Sequence, residues 1–427
     1  MIFYKIKGKI VLSKIPRDSY EIISEEAAKN TDGIIYSLTN MNPRKSRRSF
    51  CVTNPSELFL EKEDLKLLKK QSSTAEASDI PDWIKSKISN REITCINATF
   101  PNWEEVLDGP ALPEGKWRIN IIGLGDVGGN LAAGLRLAAS DYVSEIGLYD
   151  IDPNRIKRWK YEAAQVLSPS DEMIPPKLYP LTKDTMFDCD MFVFCISVGV
   201  PEVGKEPEDV RIAQFEGNAE VLKQYSKLAR EKNFKGLFIV MSDPVDLLSN
   251  IAYNFSNMDE DGNMDFKGLA PEQIRAYGLG VMHGRAAYFA EEEGALQYLT
   301  EGRCFGPHGE GVVVADSIKN YNEKLSDYLT VRTKNANLDV RTFGFKPYIA
   351  PAFSSGVLSF IETIKGNWHY SATSIGGIFM GSRNKLLKSG VELETYDFPD
   401  NLYNKLQNTY DYLADWYEKP IFQSSRS

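Results

Sequence analysis

The chain reads as an α/β protein, a doubly wound parallel sheet followed by an α+β domain and preceded by a small N-terminal α+β appendage. Three observations predict this. Short apolar strand-like runs alternate with helical spacing from Trp117 onward, and a glycine-rich turn joins the first such strand to its helix. A stretch with two prolines and two glycines in ten residues, Leu107-Asp-Gly-Pro-Ala-Leu-Pro-Glu-Gly-Lys116, separates that pattern from an irregular first quarter. At 427 residues there is room for two or three domains, and the expected divisions are 1–112, 113–255 and 256–427.

Taken in order, the first quarter mixes β-rich pieces (Ile2 to Leu12, Gly33 to Leu38) with helical-looking ones (Tyr20 to Lys29, Glu61 to Lys70). Its basic cluster, Arg44, Lys45, Arg47 and Arg48, reads as a solvated loop, with anion binding as the sharper alternative. From Arg118 to Gly123 runs a short apolar strand, and Asn130 to Ser140 has the Leu/Ala spacing of a buried helix. Glu145 to Tyr149, Met191 to Ser197 and Gly236 to Met241 supply further strands.

Composition narrows the function. The 59 acidic residues outnumber 50 basic ones, for a net charge of -9, so a broad phosphate-binding surface and a nucleic-acid partner are not expected. The apolar run Met191 to Val200 is about half of the ~20 residues a membrane helix needs, so no membrane span is expected. The start lacks a signal-peptide pattern, which makes the cytoplasm the expected location. Five scattered cysteines without a CxxC pair argue against a disulfide framework or a metal site, and Cys189 and Cys195 read as small buried hydrophobes.

The turn is Gly123-Leu-Gly125-Asp126-Val127-Gly128-Gly129, a GxGxxG between a strand and a helix. Gly123 permits the tight turn, Gly125 lets the backbone approach a pyrophosphate, and Gly128 lets helix and strand pack closely, while the helix N-terminus faces the anion. Asp150 ends the next strand 22 residues past Gly128. A carboxylate there accepts hydrogen bonds from ribose hydroxyls and repels a 2′-phosphate, so the expected cofactor is NAD rather than NADP and the fold Rossmann-type. Asp152 is the alternative carboxylate, though Pro153 beside it suggests a helix start.

Downstream, Met191 to Pro201 is similar to a strand leading into a substrate loop. Arg211 is followed seven residues later by Asn218, Phe238 to Leu248 ends in Ser-Asp-Pro-Val-Asp, and Gly306-Pro-His308-Gly comes next. In that order these segments resemble the lactate/malate dehydrogenase family from about Lys116 to about Tyr417. The resemblance implies a hydride transfer between nicotinamide and a small anionic 2-oxo/2-hydroxy acid, lactate/pyruvate or malate/oxaloacetate. His308 would exchange the hydroxyl proton, Arg211 would polarise the carbonyl, and Arg285 would grip the carboxylate. Asn218 joins the substrate-binding set, and Ser197, Val198 and Gly199 join Gly123, Gly125, Asp126, Val127, Gly128 and Asp150 around the cofactor. A homo-oligomer, dimer or tetramer, is the expected assembly.

Three departures from the family pattern stand out. Asp243 replaces an asparagine before Pro-Val-Asp, putting a carboxylate beside an anionic substrate. The helix that should read Leu-Asp-x-x-Arg reads Met282-His283-Gly284-Arg285, so the aspartate that orients the histidine is missing and Asp243 is expected to take over that role. The loop from Gly199 to Arg211 is about three residues longer than usual, with Lys205 as a second carboxylate clamp. Two other readings exist, an NAD-binding regulatory or scaffold protein without turnover, and a metal-dependent NAD glycosidase, for which no Cys/His spacing is found.

Overall fold

A computed structural model describes residues 1–71, 79–109, 112–170, 172–199 and 214–422. The first strands are β1 (Ile2–Ile6), β2 (Lys9–Ser13), β3 (Glu21–Ile23), β4 (Ile35–Thr39), β5 (Ser49–Cys51) and β6 (Ile93–Asn97), with helices α1 (Glu25–Lys29) and α2 (Asp82–Ser89). They make one mixed sheet in the order β3-β1-β2-β4-β6-β5. Its two faces bury separate apolar clusters, one around Leu12, Ile35, Phe50 and Ile93 and the other around Tyr4, Val11, Phe100 and Leu107.

Two helical expectations here need correction. Within Tyr20 to Lys29 only Glu25–Lys29 is α-helix, because Glu21–Ile23 pairs with β1. Glu61 to Lys70 contains only a 3-10 turn, Leu65–Leu68, whose leucines are buried in the main core of the molecule. The basic cluster is corrected in part, since Arg44 and Lys45 are exposed but the other two are not. Arg47 is buried and bonds the Glu63 carboxylate at 2.9 Å, while Arg48 reaches Glu272 at 3.1 Å, so these cations hold elements together instead of lining a solvated loop.

The larger sheet begins with β7 (Trp117–Ile122), α3 (Asp126–Ala138), β8 (Val143–Tyr149), α4 (Pro153–Ala164), β9 (Lys177–Pro180) and β10 (Met191–Phe194). It continues through α5 (Phe215–Glu231), β11 (Leu237–Val240), α6 (Val245–Ser256), β12 (Ile274–Ala276), α7 (Leu279–Glu292) and α8 (Tyr298–Glu301). Next come a hairpin, β13 (Arg303–Phe305) with β14 (Val313–Ala315), and the long helix α9 (Glu323–Thr342). A π-helix at Pro351–Leu358 runs into α10 (Ser359–Ile364), and the chain ends with β15 (His369–Ile375), β16 (Ile378–Leu387), β17 (Gly390–Leu393) and α11 (Asp400–Tyr417).

Among the described residues nine strands pair in the order β17-β16-β15-β12-β11-β10-β7-β8-β9. From β9 to β12 every pairing is parallel, and β12 to β17 is antiparallel. The parallel part is therefore a Rossmann-type sheet in which the chain starts in the middle at β7, runs outward to β9, then returns across β7 to β10. That reversal opens a crevice at the carboxyl ends of β7 and β10, where ligands of such sheets sit. The central strands are mostly apolar (Ile119, Ile121, Val193 and Ile239 are buried) because both faces of a parallel sheet are covered. Among the described residues no helix is long and apolar enough to cross a membrane.

Candidate active site

At the β7–β10 reversal lies a cavity of about 630 Å³, lined at one end by Gly123, Gly125, Asp126, Val127 and Asp150, and at the other by Asp243, Arg285 and His308. Ser197 and Val198 line the wall between them. Gly128 and Gly199 are not on the cavity surface. Gly128 serves packing, since a Cβ there would collide with the Gly123 carbonyl oxygen.

The glycines of the turn stand in different surroundings. Gly123 has φ +95 and stands against the backbone of Cys195 and Ile196, where a Cβ would come within 2.8 Å of the Ile196 nitrogen. Gly125 is different. A Cβ built on it meets nothing within 4 Å, so the turn leaves open space beside its backbone at the amino end of α3, where a pyrophosphate would lie. Asp150 is buried. Its carboxylate accepts from the Leu124 N–H at 2.7 Å and the Asp152 N–H at 2.9 Å, and the Arg155 guanidinium stands 3.6 Å away. Asp152 caps α4 by accepting from the Asn154 N–H, with Pro153 as the first helical residue. The residues present thus fit a dinucleotide.

At the substrate end, the β13–β14 hairpin projects His308 from its connecting loop. The ring is buried and approached closely by the backbone, since a Cβ on Gly278 would lie 2.5 Å from the His308 Cβ. His308 Nδ1 is 2.8 Å from the Gly278 carbonyl oxygen. A carbonyl can only accept, so Nδ1 carries the hydrogen and Nε2 is the basic nitrogen. The loop is anchored from below by the buried Asp246, whose carboxylate accepts from the His308 backbone N–H at 2.9 Å. Burial pushes the Asp246 carboxyl up to about 7, against the hydrogen bond from His308, which lowers it. From the C-terminal helix, the Tyr417 hydroxyl donates to the Asp246 carbonyl at 3.2 Å.

Asp243 is not the orienter. Its Oδ1 lies 3.8 Å from His308 Nε2, on the reacting side of the ring, while Nδ1 is held by the Gly278 carbonyl. A backbone oxygen thus fixes the tautomer that the missing family aspartate would have fixed. Asn218 also departs from expectation. It is fully buried, and its amide accepts from the Val198 N–H at 2.7 Å and donates to the Asp243 carbonyl at 2.6 Å. It braces the exits of β10 and β11 and does not line the cavity. Arg285, on α7, does line it. Arg211 and Lys205 fall outside the described residues.

The other two histidines are structural. His283 bonds the Tyr298 hydroxyl at 3.1 Å and stacks on Tyr370, and burial lowers it to about 4. His369 is buried beside Arg275, and burial with that charge lowers it to about 3. The five cysteines are buried free thiols, and burial alone raises Cys195 to about 12. The sequence reading missed Tyr277, Asn337, Arg341 and Tyr348, all of which line the cavity. None of these carries a sequence signal that would have marked it for the cavity.

Residues 117–265 match the family described as lactate/malate dehydrogenase, NAD binding domain. The malate dehydrogenase of Sulfurisphaera tokodaii is 25% identical over 207 residues, which is 48% of this chain and 60% of that protein. L-lactate dehydrogenase 1 of Enterococcus faecalis is 24% identical over 144 residues, 34% of this chain and 41% of the relative. The chain thus spans about half the length of these curated relatives. Among solved structures, the minor L-lactate dehydrogenase of Enterococcus mundtii superposes with a TM-score of 0.58 at 16% identity, covering 73% of this chain and 99% of that one. The malate dehydrogenase of Archaeoglobus fulgidus, solved in complex with NADH, gives 0.53 at 17% identity, covering 70% and 97%. In sequence, residues 117–265 are thus similar to the NAD-binding domain of lactate/malate dehydrogenases, and the solved structures share the fold of most of the chain.

Proposed function

We propose that the chain is an NAD-dependent oxidoreductase that moves a hydride between nicotinamide and the C2 carbon of a small 2-hydroxy or 2-oxo acid of the lactate or malate type. The observation that carries this is the placing of His308. Its Nδ1–H is held by the Gly278 carbonyl and its Nε2 is directed into the cavity that also holds the glycine turn and Asp150. Nicotinamide supplies or accepts the hydride, and everything else falls to the protein. His308 Nε2 takes the substrate hydroxyl proton on oxidation and returns it on reduction. Asp243, 3.8 Å from that nitrogen, favours the protonated ring before reduction. Arg285, which lines the cavity, is assigned the substrate carboxylate, and Arg211 the developing oxyanion by the family resemblance alone.

The division at 1–112, 113–255 and 256–427 belongs to the same proposal, supported by the separate apolar clusters of the N-terminal sheet. So do a cytoplasmic location and a homo-oligomeric assembly, for which light scattering on the purified chain is the check. Function is tested by titrating NADH fluorescence and then monitoring reduced-nicotinamide absorbance with a panel of 2-oxo acids. Turnover is expected. NADH binding without turnover of any 2-oxo acid would support a regulatory NAD-binding protein instead.

A further inference from the structure

One face of the large sheet, outside the catalytic cavity, is polar although it is buried. The antiparallel pairing of Ala276 with Ala372 sets Arg275 of β12 opposite Thr373 of β15, while Ser371 and His369 of β15 stand opposite Ser382 and Asn384 of β16. Side chains two apart on a strand share a face, so all six lie together, and all six are buried. Arg275 Nη1 donates to Asn384 Oδ1 at 2.8 Å and lies 3.4 Å from both Ser371 Oγ and His369 Nε2. These are neutral groups. His369 Nδ1 is 3.1 Å from the Asn367 carbonyl oxygen and so carries the hydrogen, which leaves Nε2 an acceptor. On the other edge of the guanidinium, Nε and Nη2 are buried without a hydrogen-bond partner, and so are the Thr373 and Ser382 hydroxyls.

A guanidinium does not give up its proton inside a protein, so burial leaves a full positive charge. Neutral acceptors on one nitrogen offset only part of the cost of burying it. Four unsatisfied donor groups around such a cation mark the place of an unseen acceptor. We propose that Arg275, Thr373 and Ser382 together bind a small monovalent anion of the halide class, as a counter-ion built into the fold. A halide accepts from every one of these donors and has no hydrogen that needs an acceptor in return. A water in its place would bring two hydrogens toward a cation. From Arg275 the chain runs on through Tyr277, which lines the catalytic cavity, to Gly278, whose carbonyl holds His308. The anion thus steadies the strand behind the reaction site, whatever substrate that site takes.

To test this, the full chain is dialysed into sodium gluconate and its thermal melting followed as chloride or bromide replaces gluconate at constant ionic strength, which holds general screening fixed. The melting temperature should rise by about 2 °C or more and the rise should saturate, as for a ligand bound by the folded chain alone. Arg275→Met, with an apolar side chain of similar length, should abolish the rise. Thr373→Val and Ser382→Ala each remove one donor and keep the cation, and each should raise the half-saturating halide concentration about tenfold. These two variants decide the matter if Arg275→Met does not fold. A crystal grown in bromide should show an anomalous peak against Arg275 Nε and Nη2. Equal melting in gluconate and halide, an undiminished rise in Arg275→Met, unchanged half-saturation in both hydroxyl variants, or an ordered water at the site in bromide would each overturn the proposal.

Discussion

The two ends of the cavity are built by different rules. At the cofactor end the working parts are backbone and short-range, with Gly123, Gly125, Gly128 and Asp150 within one β-α-β unit and each position fixed by space or by a hydrogen bond to a near neighbour. At the substrate end the parts come from five separated segments (β11, β12, α7, α9 and the β13–β14 loop), and a backbone carbonyl does what a carboxylate does in the family pattern. A pyrophosphate presents the same demands in every such fold, so its cradle is nearly invariant in form. A histidine base needs only a fixed tautomer, which any well-placed acceptor can supply.

The largest expected effect breaks the substrate end alone. His308→Asn should lower turnover by about 100- to 10,000-fold in both directions, while NADH affinity stays near that of the unaltered chain. Full turnover in this variant would end the proposed mechanism. At the cofactor end, two glycines separate packing from binding. Gly128→Ala drives a Cβ into the Gly123 carbonyl and should cost about 1–3 kcal/mol of stability by thermal melting. Gly125→Ala meets no protein atom and should melt normally, yet lose about tenfold or more in NADH affinity by filling the approach to the pyrophosphate. Equal melting losses in the two variants would refute this division.

Asp246 ties the substrate end to stability. Its carboxyl is pushed up to about 7 from 3.8 by burial, so between those values the folded chain binds a proton that the unfolded chain has released. Stability from this group therefore falls as pH rises from about 4 to about 7. His283 and His369, lowered to about 4 and about 3, act oppositely, adding stability as pH rises toward 6.5. Asp246→Asn should thus gain on the unaltered chain as pH is raised from 4 to 7, and parallel melting curves across that range would refute the assignment. Asp243→Asn should leave the tautomer intact and move the falling limb of the reduction rate to lower pH, because a charge favouring the protonated ring is removed. Smallest, Asp150→Ser should narrow the preference for NADH over NADPH, the more so with Arg155 already beside the site. An unchanged ratio in calorimetry would free Asp150 of the ribose role.

Much of the parallel sheet was legible because its strands are buried on both faces and its turn needs glycine at fixed positions. Asp150 was suggested by its spacing after the glycine turn and His308 by a segment that resembles the family's, and both line the cavity. The N-terminal errors have a tertiary cause. Leu65, Leu67 and Leu68 carry helix-forming side chains, but burial in a core made by distant segments holds them in a 3-10 turn. Arg47 and Arg48 looked like solvated charge because Glu63 and Glu272 are remote in sequence. The Gly278 carbonyl has no side-chain signature at all, so the sequence could show that the family aspartate was missing but not what replaced it. Asn337 and Arg341 sit on a helix whose sequence gives no sign of which face meets the cavity.

The Arg47–Glu63 pair bears on how the protein is made. Glu63 also accepts from the Gly376 N–H, 313 residues further along, and Lys69 bridges to Tyr396. On a ribosome adding about 5–20 residues per second, the first hundred residues wait roughly 15–60 s for the segments that bury Leu65, Leu67 and Leu68. During that interval the leucine-rich turn lacks the distant segments that bury it, and the Arg47–Glu63 pair lacks the Gly376 N–H that joins it. An N-terminal segment left waiting in this way would gain from a chaperone, and slowing translation should lower soluble yield.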